Sequence, residues 1–125
     1  MIETGKNKKG EKVNWMIKDS WDELVKHLDE GCTEAAALTG TEKQVEWAAN
    51  IRLTYIAAIE QAWGQMVAQG RAAGGTEKDL APYEAKYARI LSGLRGIRTA
   101  RTWIEGGKGT VDGYAQLQML MSLVT

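Results

Sequence analysis

The sequence predicts a mostly α (α+β) fold: a helical bundle around one long central helix, with a short N-terminal β-hairpin. The central helix is indicated by Thr39–Gly75, where apolar or small residues recur at intervals of three and four. The hairpin is indicated by residues 13–17, where apolar and polar residues alternate. A chain of 125 residues with 44% hydrophobic residues can bury a core without disulfides, so 1–125 is predicted to be a single domain.

Local signals place the elements in order. The hairpin is assigned to 1–18, with a polar, glycine-marked turn between its strands. Helical spacing of apolar residues, bounded by capping residues or glycines, predicts four helical regions. These regions are 20–31, 41–70, 79–105 and 112–123.

Three details refine the helical regions. The first two each begin with a capping-box pattern, with Ser20 and Thr41 as the predicted N-caps. Gly64 lies inside the central helix and indicates either close packing or a bend. Gly93 and Gly96 indicate either a break in the third region or a very close helix crossing.

Composition excludes several classes of protein. A formal net charge of zero argues against binding nucleic acid through bulk charge, as histones do. Cys32 is the only cysteine and His27 the only histidine, so neither an intramolecular disulfide nor a His/Cys metal site can form within one chain. No apolar run approaches the ~20 residues of a membrane span, and the N-terminus does not resemble a signal peptide. We therefore expect no metal, no cofactor and no membrane partner, and a cytoplasmic location.

The strongest surface feature is a set of basic residues in a stretch, 85–104, that contains no acidic residue. On a continuous helix the last three would spread over about 120°, and a row of guanidinium groups suits phosphates or carboxylates. The alternative is a solvated helix face, with some of these arginines paired to Glu46, Glu60 or Glu84. We name this set the basic stripe: Lys86, Arg89, Arg95, Arg98 and Arg101.

Two further groups are open to a binding interpretation. Lys6, Lys8 and Lys9 form the tip of the predicted hairpin and are secondary candidates for binding, although solvated turns of this kind are common. Tryptophans can serve as stacking platforms for bases. However, three of them fall at helical spacings with other apolar residues, which favours core positions: Trp47, Trp63 and Trp103.

No catalytic constellation is recognisable in the sequence. A serine triad would depend on His27, and no G-x-S-x-G element is present. The glycine-rich segment 106–110 follows a predicted helix rather than a strand and lacks the Walker spacing. The sequence therefore predicts a non-enzymatic protein.

One segment resembles a known group of proteins. TGTEKQVEWAANIR at 39–52 is similar to T-G-[ST]-x-K-Q-x-x-W-A-x-x-I-R, which recurs in small, uncharacterised proteins of phages and integrative elements. Residues 100–105 are similar to a later A-x-x-W-I-[DE] element, although Gly106 replaces the basic residue that often follows it. The resemblance supplies no catalytic residues to transfer. It implies an accessory protein of a mobile element, acting in the cytoplasm of the host bacterium.

Small size, the lack of a catalytic set, the basic stripe and this resemblance together lead to one main hypothesis. The protein binds and inhibits a host defence target, a protein or ribonucleoprotein complex, and an anti-CRISPR-type inhibitor of a Cas effector is the best guess. The first alternative is a small nucleic-acid-binding regulator that uses the basic stripe at 86–101. The second is a structural or assembly protein that forms a homodimer through its C-terminal helix.

Overall fold

The described part of the protein, residues 18–106 and 112–124 of a computed structural model, is mostly helical. This confirms the predicted helical class with one long central helix. The predicted hairpin at 1–18, including Lys6, Lys8 and Lys9, lies outside the described residues except for Lys18, where α1 begins. The helices are α1 (Lys18–Lys26), α2 (Glu42–Ala72), α3 (Glu77–Gly96), α4 (Ala100–Gly106) and α5 (Gly113–Leu123).

The predicted start of α2 is confirmed at the level of its cap. Thr41 Oγ1 accepts a hydrogen bond from the Gln44 backbone N–H at 3.2 Å, and Gln44 Oε1 accepts one from the Thr41 N–H at 3.0 Å. This capping box satisfies two backbone donors that a helix start otherwise leaves free. The helix then continues through Gly70 to Ala72, two residues beyond the predicted end. Its 31 residues span about 46 Å at 1.5 Å per residue.

The first helix differs from the prediction at both ends. Ser20, the predicted N-cap, lies inside α1, where its side chain is fully buried and its hydroxyl finds no hydrogen-bond partner among the described residues. The helix ends at Lys26 rather than at residue 31, because the chain then turns through a bond from the His27 N–H to the Leu24 carbonyl. Gly31 has φ of 67°, so the chain reverses at the glycine that was predicted to stop the helix.

The third predicted region is two helices rather than one. α3 ends at Gly96 and α4 begins at Ala100, with an extended link between them. The Thr39 N–H donates to the Arg98 carbonyl at 2.7 Å, and the Ala100 N–H donates to the Thr39 carbonyl at 3.0 Å. These bonds form an isolated parallel bridge between Thr39 and Thr99, which requires an extended backbone where the sequence pattern predicted helix.

Both glycines near the end of α3 permit a close crossing with α1. A Cβ at Gly93 would lie 2.8 Å from Leu24 Cγ and 2.9 Å from the Leu24 carbonyl oxygen, and one at Gly96 would overlap His27. The break and the close crossing, predicted as alternatives, therefore occur together. Gly64 in α2 is different, because a Cβ there would meet nothing within 4 Å. Close packing among the described residues therefore does not explain Gly64.

The core lies mainly between α2 and the two helices that follow α3. Trp103 of α4 is fully buried, meets Tyr55 of α2 edge-on at 6.0 Å between ring centroids, and donates its indole N–H to the Ile97 carbonyl at 3.1 Å. The predicted core position of Trp103 is confirmed, and Trp63 is partly buried. The prediction for Trp47 is wrong, since its side chain is 53% exposed. No helix within the described residues is long and apolar enough to cross a membrane.

One polar pair is buried in this core. The Tyr55 hydroxyl donates to Gln116 Oε1 at 2.6 Å, while Gln116 Nε2 has no hydrogen-bond partner in the part of the chain that the structure describes. Burial raises the pKa of the Tyr55 phenol, so the hydroxyl keeps its proton and remains a donor at all physiological pH values.

The two interior glycines give opposite predictions. Gly64→Ala should raise the free energy of unfolding by about 0.5–1 kcal/mol, because the methyl group enters open space and alanine favours helix. Gly93→Ala should lower it by about 1–3 kcal/mol, because the methyl group overlaps α1. Urea denaturation at low protein concentration measures both. Equal changes in the free energy of unfolding for the two substitutions would contradict the close crossing of α1 and α3.

The buried polar pair gives a second prediction. Tyr55→Phe should cost about 1–2 kcal/mol of stability, because it leaves both polar atoms of the Gln116 amide without a partner. Gln116→Leu added to that variant should recover most of the loss, since the unpaired amide is then gone. A double-mutant cycle by thermal or urea denaturation measures the coupling, and additive effects would show that the two side chains do not interact.

Candidate functional site

Four side chains of the basic stripe bond to their own chain. Lys86 Nζ donates to the Met121 carbonyl at 3.0 Å, and Arg95 Nη1 donates to the Cys32 carbonyl at 3.2 Å. Arg89 Nε lies 2.8 Å from Asp29 Oδ1, and Arg101 Nε lies 2.7 Å from Glu105 Oε1. Arg98 is exposed. The two acidic partners, Asp29 and Glu105, are not the ones considered from the sequence, which were Glu46, Glu60 and Glu84.

The basic stripe does not form one row. Lys86 and Arg95 are nine residues apart on α3, and at 100° per residue their side chains leave the helix on opposite sides. Arg98 lies in the link between α3 and α4, so Arg95, Arg98 and Arg101 do not follow one helical surface. The predicted arc of about 120° required a continuous helix, and that premise is wrong.

The structure instead gathers three arginines around the 32–39 loop. Arg95 bonds to the Cys32 carbonyl, and the Arg98 carbonyl accepts from the Thr39 N–H. Arg52 of α2 donates from Nη1 to the Ala36 carbonyl at 2.7 Å. The loop between α1 and α2 is therefore held against α2 and α3 by arginine side chains as well as by backbone bonds.

Arg52 is the residue of this cluster that the sequence did not identify. In the sequence it is a charged residue that interrupts the apolar stripe of α2. Partial burial lowers the pKa of Arg52, but a guanidinium starts from so high a value that it stays charged. A lone arginine within an apolar helical stripe was the available signal, because such a residue needs an acceptor close to the core.

A groove of about 340 Å³ lies beside this loop, between α2 and α3. Trp63 of α2 and Tyr87 of α3 stack along it, with ring centroids 4.6 Å apart and planes at 9°. Leu91 is buried beneath them, while Glu84 and Arg95 bring one charge of each sign to the lining. We name this the α2–α3 groove.

Ser92 fixes the loop that closes one end of the groove. Its hydroxyl donates to the His27 carbonyl at 2.6 Å and accepts from the Cys32 N–H at 3.0 Å. The side chain is almost fully buried in α3, so it anchors both ends of the turn through 27–32. One hydroxyl thus ties the two ends of this turn together, in addition to the arginine and backbone bonds that hold the loop.

His27 and Cys32 both contact Glu30. His27 Nδ1 lies 2.7 Å from Glu30 Oε2, and Cys32 Sγ lies 3.7 Å from the same oxygen. The hydrogen bond with His27 is the main cause that lowers the pKa of the Glu30 carboxyl. Residues 18–106 and 112–124 contain no group of three or more His, Cys, Asp or Glu side chains placed to hold a metal ion. This cluster joins the end of α1 to the loop.

Comparison with known proteins adds no relative. No protein-family model matches the sequence, and no curated protein or solved structure matches it significantly. The function must therefore be inferred from the chain itself.

The role of Ser92 can be tested directly. Ser92→Ala should leave the Cys32 N–H and the His27 carbonyl without their partner, so amide exchange at Cys32 should accelerate and the Cys32 thiol should react faster with a thiol reagent. Ser122→Ala is the matched control, because Ser122 is an exposed serine whose hydroxyl bonds only within α5. Unchanged exchange at Cys32 in Ser92→Ala would contradict the anchoring role.

Proposed function

We propose that the protein is a non-enzymatic accessory protein of a phage or other mobile element, and that it binds and inhibits a host defence target in the bacterial cytoplasm. The best candidate target is a Cas effector, which makes the protein an anti-CRISPR-type inhibitor. The α2–α3 groove is the observation that carries this proposal. The mobile-element context rests on the resemblance of residues 39–52 and 100–105 to proteins of phages and integrative elements.

The composition of the groove supports a protein as the partner. Stacked aromatic rings beside an apolar floor resemble the centres of protein interfaces, where tryptophan, tyrosine and arginine are enriched. Arg95 and Glu84 add one positive and one negative charge, which suits side chains of both signs. The partner we infer is a segment of the target that inserts an apolar side chain between these two charged groups.

The bonds of the basic stripe favour this proposal over nucleic-acid binding. Nucleic-acid affinity depends mainly on cations that can neutralise phosphates and release counterions. Four of the five cations already bond to atoms of the chain, and they leave α3 and α4 in different directions. A phosphate backbone would have to compete with those bonds to reach them.

The proposal is tested by capturing the target with variants of the groove. The tagged protein should recover one defence complex in near-stoichiometric amount from a lysate of a bacterium with an active CRISPR–Cas system, and should reduce its interference with an incoming plasmid. Ala88→Arg should weaken capture by more than about tenfold, because it places a long charged side chain in the groove from an exposed position.

Ala85→Arg is the matched control for that variant. It adds the same side chain at an exposed position of α3 outside the groove, and it should capture the target normally. Equal capture by both variants would show that the groove is not the binding site. Failure to recover any defence complex from several hosts, together with normal plasmid interference, would overturn the proposed function.

Nucleic-acid binding is measured in parallel. We expect no tight binding of DNA or RNA at low salt. Binding that falls steeply with salt and is reduced by Arg95→Ala with Arg98→Ala would instead support the regulator alternative. The double variant then provides the decisive comparison. The loss of those two charges should weaken binding to the phosphates of a nucleic acid whatever its base sequence.

A further inference from the structure

The outward side of α2 has few charges for a solvent-facing helix. Among its exposed residues from Trp47 to Gln69, Glu60 is the only charged one. Helix faces that contact only water normally carry charged or polar side chains. Here the exposed polar side chains are uncharged apart from Glu60, and they alternate with exposed apolar and small residues. We call the exposed residues of this stretch the outer face of α2.

Large and small side chains are separated along the outer face. Trp47 is 53% exposed and Leu53 is 71% exposed, and both lie in its N-terminal half. Gly64 and Ala68 lie in its C-terminal half. Gly64 weakens the helix by roughly 1 kcal/mol relative to alanine, yet nothing in residues 18–106 and 112–124 would obstruct a Cβ there. A glycine that the packing of these residues does not require is explained if another molecule packs closely at that point.

We propose that a second copy of this chain packs antiparallel on the outer face of α2, with a two-fold axis beside Ala57. In that arrangement, the residue ten positions before Ala57 in one copy faces the residue about eleven positions after Ala57 in the other copy. Trp47 of each copy then faces the small residue Ala68 of the other, with Gly64 one helical turn away along the same contact. Large side chains meet small ones on both sides of the axis, as a two-fold interface requires.

The charges at the ends of α2 agree with the same register. Arg71 of one copy falls between Glu42 and Glu46 of the other, on the same edge of the contact. Lys43 falls beside the C-terminal carbonyls of the opposing α2, where the helix dipole favours a cation. A parallel arrangement would instead place Glu46 beside Glu46 and Glu60 beside Glu60. Charge complementarity thus selects the antiparallel pair.

This interface differs from the homodimer considered from the sequence, which used the C-terminal helix. The large apolar residues Leu117, Leu120 and Met121 of α5 are buried in the core of their own chain. The exposed residues of α5 include Gln118 and Ser122, which are polar. The outer face of α2 therefore offers more uncovered apolar surface than α5.

The proposal is independent of the α2–α3 groove. Trp63 lines the groove and is sixteen residues from Trp47, so the two side chains leave α2 on nearly opposite sides. A dimer through the outer face leaves both grooves open. The loss of dimerisation can therefore be distinguished from the loss of target binding.

Sedimentation velocity or light scattering over a concentration series tests the dimer. The wild-type chain should change from monomer to dimer as concentration rises. Ala57→Arg should weaken association by more than about tenfold, because it buries two like charges at the axis without altering the core. Ala85→Arg adds the same charge on α3 and should associate normally. Circular dichroism confirms that each variant is folded.

Charge exchange fixes the register. Arg71→Glu should weaken association several-fold, and Arg71→Glu combined with Glu46→Arg should restore it. A wild-type monomer at every concentration, or a dimer that is insensitive to Ala57→Arg, would overturn the proposal. Protection of Trp47 from radical footprinting in the monomer would also overturn the proposal, because other residues of the same chain would then cover the outer face.

Discussion

The pairing of Thr39 with the 97–99 link is the constraint on which the arrangement of the helices depends. Two backbone hydrogen bonds hold the link extended, so α3 ends and α4 starts in a new direction. Thr99 is fixed a second time, because its hydroxyl donates to Glu23 Oε1 of α1 at 2.8 Å. The change of direction brings Trp103 against Tyr55 and closes the core around α2.

The sequence predicted the features that local chemistry determines. The capping box at Thr41 involves residues three positions apart, so its pattern is visible in a short segment, although the same pattern at Ser20 does not form a cap because Ser20 lies inside α1. The break after Gly96 and the exposure of Trp47 depend on which distant segments lie nearby. Helical spacing alone placed Trp47 beside the apolar stripe, but it could not show that none of the described helices covers that side.

The candidate site was less predictable than the fold for a related reason. A run of basic residues shows that cations are present, whereas their acceptors here include the carbonyls of Cys32 and Met121, far away in the sequence. Backbone carbonyls have no sequence signature. Arg52 and the α2–α3 groove depend on the same long-range packing, so they became recognisable only when α2, α3 and the 32–39 loop were seen together.

The bridge between Thr39 and the link also affects how the chain can fold during its synthesis. Thr39 and Arg98 are 59 positions apart, and the helices that cover the apolar side of α2 come after Arg98. When α2 leaves the ribosome, Tyr55 and Ile59 therefore have no Trp103 or Leu117 to pack against. The core around α2 can therefore close only after α4 and α5 have been synthesised.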